Sequence, residues 1–105
     1  MKKFLLFTLL LSFTIFQSCQ EEKPITIEDA ANYFNDNKFE EALEAVEQIL
    51  IDNPGDYFAW TIKGRSLFAL NKTIAGIEAM NKAISLNPQY YQAFAYRGTM
   101  YNDLG

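Results

Sequence analysis

From Phe39 onward, apolar and acidic residues alternate with the beat of a helix. Phe39, Ala42, Leu43, Val46, Ile49 and Leu50 recur at three- and four-residue spacing, while Glu40, Glu41, Glu44 and Glu47 fill the opposite side. Such spacing marks a helix buried along one face, and the glutamates read as its solvated face. Thr26 and Asp29 stand at capping-box spacing, and Asp56 is placed to cap a helix containing Trp60. Asn53-Pro54 and Asn87-Pro88 close helices, because proline disfavours helical geometry in the residue before it. These signals predict an all-α chain with helices over residues 26–36, 40–52, 57–70, 74–86 and 90–103.

The helices are not independent of one another. Asn53-Pro54 recurs as Asn87-Pro88, Trp60 as Phe94, Gly64 as Gly98, Leu67 as Tyr101 and Leu70 as Leu104, each pair 34 residues apart. One step back, Ala30 aligns with Gly64, Tyr33 with Leu67, Phe34 with Phe68, and Asn37-Lys38 with Asn71-Lys72. A fixed offset of this length indicates stacked supersecondary units. The pattern resembles the tetratricopeptide repeat (TPR), a pair of antiparallel helices. Its aromatic, small and aromatic-or-aliphatic signature is present as Trp60, Gly64, Leu67 and as Phe94, Gly98, Tyr101, and its second-helix pattern as Ala42, Val46 and the closing Pro54. Gly76, Met80 and Asn71 depart from the usual alanine, aromatic and glycine, and Thr26 stands where the first unit would carry its aromatic. The resemblance implies a TPR-like α-solenoid of about two and a half repeats, divided as 25–56, 57–90 and 91–105.

Small residues are expected where helix axes approach, Ala30 against Ala42 and Gly64 against Gly76. Each helical glycine costs about 1 kcal/mol relative to alanine, so two in one pair imply a packing requirement that outweighs propensity. In a solenoid each unit covers its neighbour. Phe94, Tyr101 and Leu104 of the last helix are therefore expected to seek a partner, either further repeats beyond Gly105 or another chain.

The first residues have another character. Lys2 and Lys3 precede the uncharged stretch Phe4 to Phe16, and Ser18 precedes Cys19, the single cysteine. A basic then apolar layout too short for the roughly 20 residues of a spanning helix reads as a secretory signal. The stretch Phe16-Gln17-Ser18-Cys19 resembles the lipobox of bacterial lipoproteins, although Phe16 and Gln17 differ from the usual residues. That resemblance implies a signal peptide at 1–18, acylation of Cys19 and a tether at 19–24. By the same resemblance, Gln20 stands in place of the aspartate that holds many such lipoproteins at the inner membrane, which implies the outer membrane. The reading that competes is a conventional signal with an incidental cysteine, or an uncleaved anchor.

Composition then removes function classes. In 105 residues there is no histidine and one cysteine, which excludes the usual zinc sites, histidine-dependent triads and an internal disulfide. No carboxylate pair stands with an evident nucleophile, so no catalytic residue, metal site or cofactor is expected. Residues 20–54 carry ten acidic and two basic side chains, and residues 55–105 three acidic and five basic. The net charge of residues 20–105, −8 and +2 giving −6, opposes the phosphate contacts of nucleic-acid binding. It leaves a basic or amphipathic partner open for the first repeat.

At about 100° per residue, Phe58, Thr61, Arg65 and Phe68 form a second stripe beside the Trp60, Gly64, Leu67 core stripe. In the family, that stripe lines a concave groove for peptides or protein segments. Groove candidates carried over by position are Ile27, Ala31, Phe34 and Asn35, then Phe58, Thr61, Arg65, Phe68 and Ala69, then Gln92, Ala95, Thr99, Asn102 and Asp103. For any one of them, solvent exposure or inter-repeat packing is an equal reading. The family's lysine-rich clamp for chaperone tails is not matched, since Ile27, Ala31, Thr61, Arg65, Ala95 and Thr99 supply one cation. The expected function is a membrane-anchored scaffold for protein–protein interaction in the cell envelope. Its alternatives are the recognition arm of a longer enzyme and part of a glycan-binding uptake lipoprotein. In the latter Tyr90, Tyr91 and Tyr96 would stack on sugars, though packing is the preferred reading for them.

Overall fold

Asn37 and Asn71, placed 34 positions apart, both adopt left-handed backbone, with φ of 61° and 63°. Asparagine tolerates this region better than other residues with a Cβ. At both turns the following lysine donates its backbone N–H five residues back, Lys38 to the Tyr33 carbonyl and Lys72 to the Leu67 carbonyl, each at 2.8 Å. This bond closes one helix and reverses the chain into the next.

The computed structural model describes residues 22–105. Five helices follow in order: α1 Ile27–Asn35, α2 Phe39–Asp52, α3 Tyr57–Ala69, α4 Thr73–Leu86 and α5 Tyr91–Leu104. Each boundary lies within one residue of the sequence expectation. The expected signals act where the sequence puts them. Thr26 donates its backbone N–H to Asp29 Oδ2 at 2.9 Å, and Asp29 donates its own to Thr26 Oγ1 at 3.2 Å. Asp56 Oδ1 accepts from Phe58 and Ala59 at 3.0 and 3.1 Å, satisfying two amides that a helix start leaves unbonded. Asn53 and Asn87, each before a proline, leave the helical region with ψ of 76° and 90°.

Successive helices pack on one another, and the first helices of neighbouring units also touch, α1 with α3 and α3 with α5. The architecture is thus all-α, with helices paired sequentially in the manner of TPR units. Ala30 and Ala42 are fully buried in a first core with Val46, Leu50, Ala59 and Ile62. A second core holds Ile77, Met80, Ala83, Ala93 and Met100, and Trp60 packs against both. Its indole N–H donates to the Pro54 carbonyl at 2.8 Å, so the polar end of this large side chain is satisfied. Between α3 and α4 the backbones nearly meet: a Cβ added at Gly64 would lie 2.9 Å from the Gly76 carbonyl oxygen, and one added at Gly76 would lie 2.9 Å from that of Gly64. The leader and Cys19 lie outside the described residues. No helix among the described residues is long and apolar enough to cross a membrane.

Candidate functional site

Side chains from three successive first helices converge on one depression of about 200 Å³, lined by Phe34 of α1, by Arg65, Phe68 and Ala69 of α3, and by Tyr96, Thr99 and Met100 of α5. Stacking the units in parallel dictates this convergence. Phe34, Phe68 and Asn102 repeat at an offset of 34, so a shared face on each first helix becomes one surface across the stack.

Arg65 is the centre of the depression. Its guanidinium carbon lies 4.2 Å from the Phe34 ring centroid and 4.6 Å from that of Tyr96, bridging the first and third units through two cation–π contacts. The ion pair among the described residues joins Lys63 to Glu47, 3.9 Å apart, and leaves Arg65 out. Beside this cluster Tyr90 packs on Tyr57 and Phe58, with centroids 5.2 and 5.9 Å apart. Burial raises the Tyr90 hydroxyl pKa above the ordinary phenol value; Tyr96 and Tyr57 add to the rise, and Arg65 opposes it. The phenol stays neutral under physiological conditions, leaving Arg65 without an anionic neighbour on that side.

Of the residues expected to form the groove, Phe34, Arg65, Phe68, Ala69 and Thr99 line the depression. Asn35, Gln92 and Asn102 are exposed outside it, and Phe58 is exposed but turned onto Tyr90. Asp103 accepts a hydrogen bond from the Thr73 hydroxyl at 3.0 Å, tying the end of α5 to the start of α4. Thr61 requires correction. It is 2% exposed and donates its hydroxyl to the Tyr57 carbonyl at 2.9 Å, so it presents nothing to a ligand. Helix α3 touches all four other helices. A wheel divided into one core stripe and one free stripe underestimates how much of such a helix is covered.

Tyr96 and Met100 join the groove although the helical stripe does not point to them. Their counterparts one unit earlier, Ile62 and Ser66, are buried, so the register alone places them in a core; in α5 the same face turns back onto the preceding unit and forms the floor of the depression. No group of acidic, cysteine or histidine side chains that could hold a metal is found among the described residues.

Comparison with known proteins agrees with the geometry. Residues 75–104 match the protein prenyltransferase alpha subunit repeat. The chain is 30% identical over 89 aligned positions to RNA polymerase II-associated protein 3 of Xenopus laevis, covering 76% of this chain and 14% of that protein. It therefore spans about one seventh of that relative's length. Among solved structures, the MamA RS-1 ArsTM double mutant superposes with a TM-score of 0.67 at 26% identity, over 70% of this chain and 41% of that one. Both of these proteins carry TPR units.

Proposed function

We propose that the chain, whose helices pair in the manner of TPR units, holds a peptide or protein segment in the concave depression around Arg65, and does so while anchored to the cell envelope through Cys19. One observation carries the first part: three units contribute Phe34, Arg65, Phe68, Tyr96 and Thr99 to a single recess. The recess is smaller than the roughly 300–1,000 Å³ of typical small-molecule sites. It suits side chains of an extended or helical segment laid along the groove better than a whole cofactor. No reaction is assigned to these residues.

The second part rests on the basic and apolar leader ending at Ser18-Cys19. More than one acyl chain at Cys19 gives stable membrane attachment, since each buried methylene contributes about 0.8 kcal/mol. The envelope, with the outer membrane favoured, is then the setting in which the groove positions its partner. The same proposal includes association of chains through the edge of α5, where Phe94, Tyr101 and Leu104 are exposed.

Photo-crosslinking in cells tests the groove. A benzophenone side chain at position 68 or 99 is expected to capture one discrete partner, and the same group at Ile74 or Glu78 on α4 is not. Equal capture from both faces would remove the groove reading. Mass spectrometry of the mature amino terminus, with fractionation of Cys19→Ala, tests the anchor: acylated Cys19 and release of the variant into the soluble fraction are expected. An unmodified cysteine contradicts it.

A further inference from the structure

We propose that the depression recognises an internal acidic peptide segment, one in which an aspartate or glutamate lies beside a large apolar side chain, with Arg65 receiving the carboxylate. This inference rests on the groove reading above and names the chemistry of its occupant.

The guanidinium carbon of Arg65 lies over two rings, 4.2 Å from the Phe34 centroid and 4.6 Å from that of Tyr96. Contact with two rings holds the group in place by its charge and supplies no strong acceptor for its five N–H donors. A planar group fixed in this way loses little freedom when a carboxylate docks against it in two parallel hydrogen bonds. Nothing within the described chain fulfils that role. No carboxylate lines the depression, and the ion pair of the described residues is Lys63 with Glu47. Thr99 donates its hydroxyl to the Ala95 carbonyl at 3.2 Å, so Arg65 is the dominant donor of the recess.

The remaining walls are apolar. Phe68, Ala69 and the floor residue Met100, 2% exposed, surround the charge with hydrocarbon. A ligand matched to this surface carries one negative charge and an adjoining apolar side chain. Burial of that side chain keeps water away from the ion pair and strengthens it. An internal segment fits better than a chain terminus. Terminal carboxylates are captured by several donors or backbone nests, whereas Arg65 is the single cation lining this recess.

The test is a selection of random linear peptides, displayed with flanking sequence on both sides, against the full chain in detergent. Selected peptides are expected to share an acidic residue next to an aromatic or long aliphatic one. Replacing that residue by its amide should weaken binding about tenfold to a hundredfold, as should Arg65→Gln, and the two changes together should cost no more than either alone. Amidating the peptide's carboxyl terminus should change nothing. The inference is overturned by selected peptides without a shared acidic residue, by equal affinity for wild type and Arg65→Gln, or by binding that depends on a free terminal carboxylate. In each of those cases peptides still bind and the groove reading stands. Failure to select any peptide displaced by groove substitutions removes both. The peptide-side substitution keeps the test valid even if Arg65→Gln disturbs the fold, because it leaves the protein unchanged.

Discussion

Gly64 and Gly98 occupy equivalent positions in α3 and α5 but meet opposite surroundings. A Cβ at Gly64 would lie 2.9 Å from the Gly76 carbonyl oxygen and 2.9 Å from Met80 Cε, whereas one at Gly98 would meet nothing within 4 Å. The methionine end can move and the carbonyl cannot without separating two helices. Gly64→Ala is therefore expected to destabilise by about 1–3 kcal/mol through overpacking, and Gly64→Leu by more. Gly98→Ala should stabilise by up to about 1 kcal/mol through helix propensity alone. Thermal melts of the two alanine variants check this by the opposite signs of their shifts, and shifts of the same sign would contradict it. The Gly64–Gly76 approach was legible in the sequence, because two glycines at matched helical positions lose helix propensity twice, a loss that close contact between the two axes offsets. Tyr96 and Met100 were not legible as groove residues. Whether an apolar side chain ends up under a core or at the floor of a recess depends on the curvature of the stack, which no single helix encodes.

At the scale of elements, caps and turns were readable because their chemistry is local. Thr26 with Asp29, Asp56 before α3, and asparagine before proline each act through bonds spanning only a few residues. Asp29 shows the consequence for pH. Hydrogen bonds from the Thr26 backbone N–H and then its hydroxyl hold the Asp29 carboxyl below its ordinary value of 3.8. A carboxyl lowered on folding contributes its stability above the unfolded value and loses it as pH falls through the folded one. Asp29→Asn should therefore melt at a lower temperature than wild type near neutral pH, and the difference should close once the solution is more acidic than the folded pKa. A difference that persists unchanged in acid would contradict the capping account. Thr61 depends on more than its own helix. Helical periodicity places it correctly on its own helix, but its burial is decided by the neighbours that surround α3.

At the scale of the molecule, the stack has two surfaces of different character. The concave one gathers Phe34, Arg65 and Tyr96. The other is the edge of α5, where Phe94, Tyr101 and Leu104 are 39%, 51% and 51% exposed. Arg97 bonds to Asn81 Oδ1 at 2.8 Å and lies against the Phe94 and Tyr101 rings, covering them only in part. If chains associate through this edge, Tyr101→Glu should shift sedimentation toward the monomer; identical sedimentation of variant and wild type would take α5 out of consideration. The repeat and its period were legible because each unit preserves the same small and aromatic positions. The identity of what the concave surface holds is absent from the chain, since it belongs to the partner. Amide chemical shifts followed during titration with a selected peptide locate the occupied surface. Changes concentrated at Phe34, Arg65, Phe68, Tyr96 and Thr99 are expected, and changes centred on the outer faces of α2 and α4 would contradict binding in the concave recess.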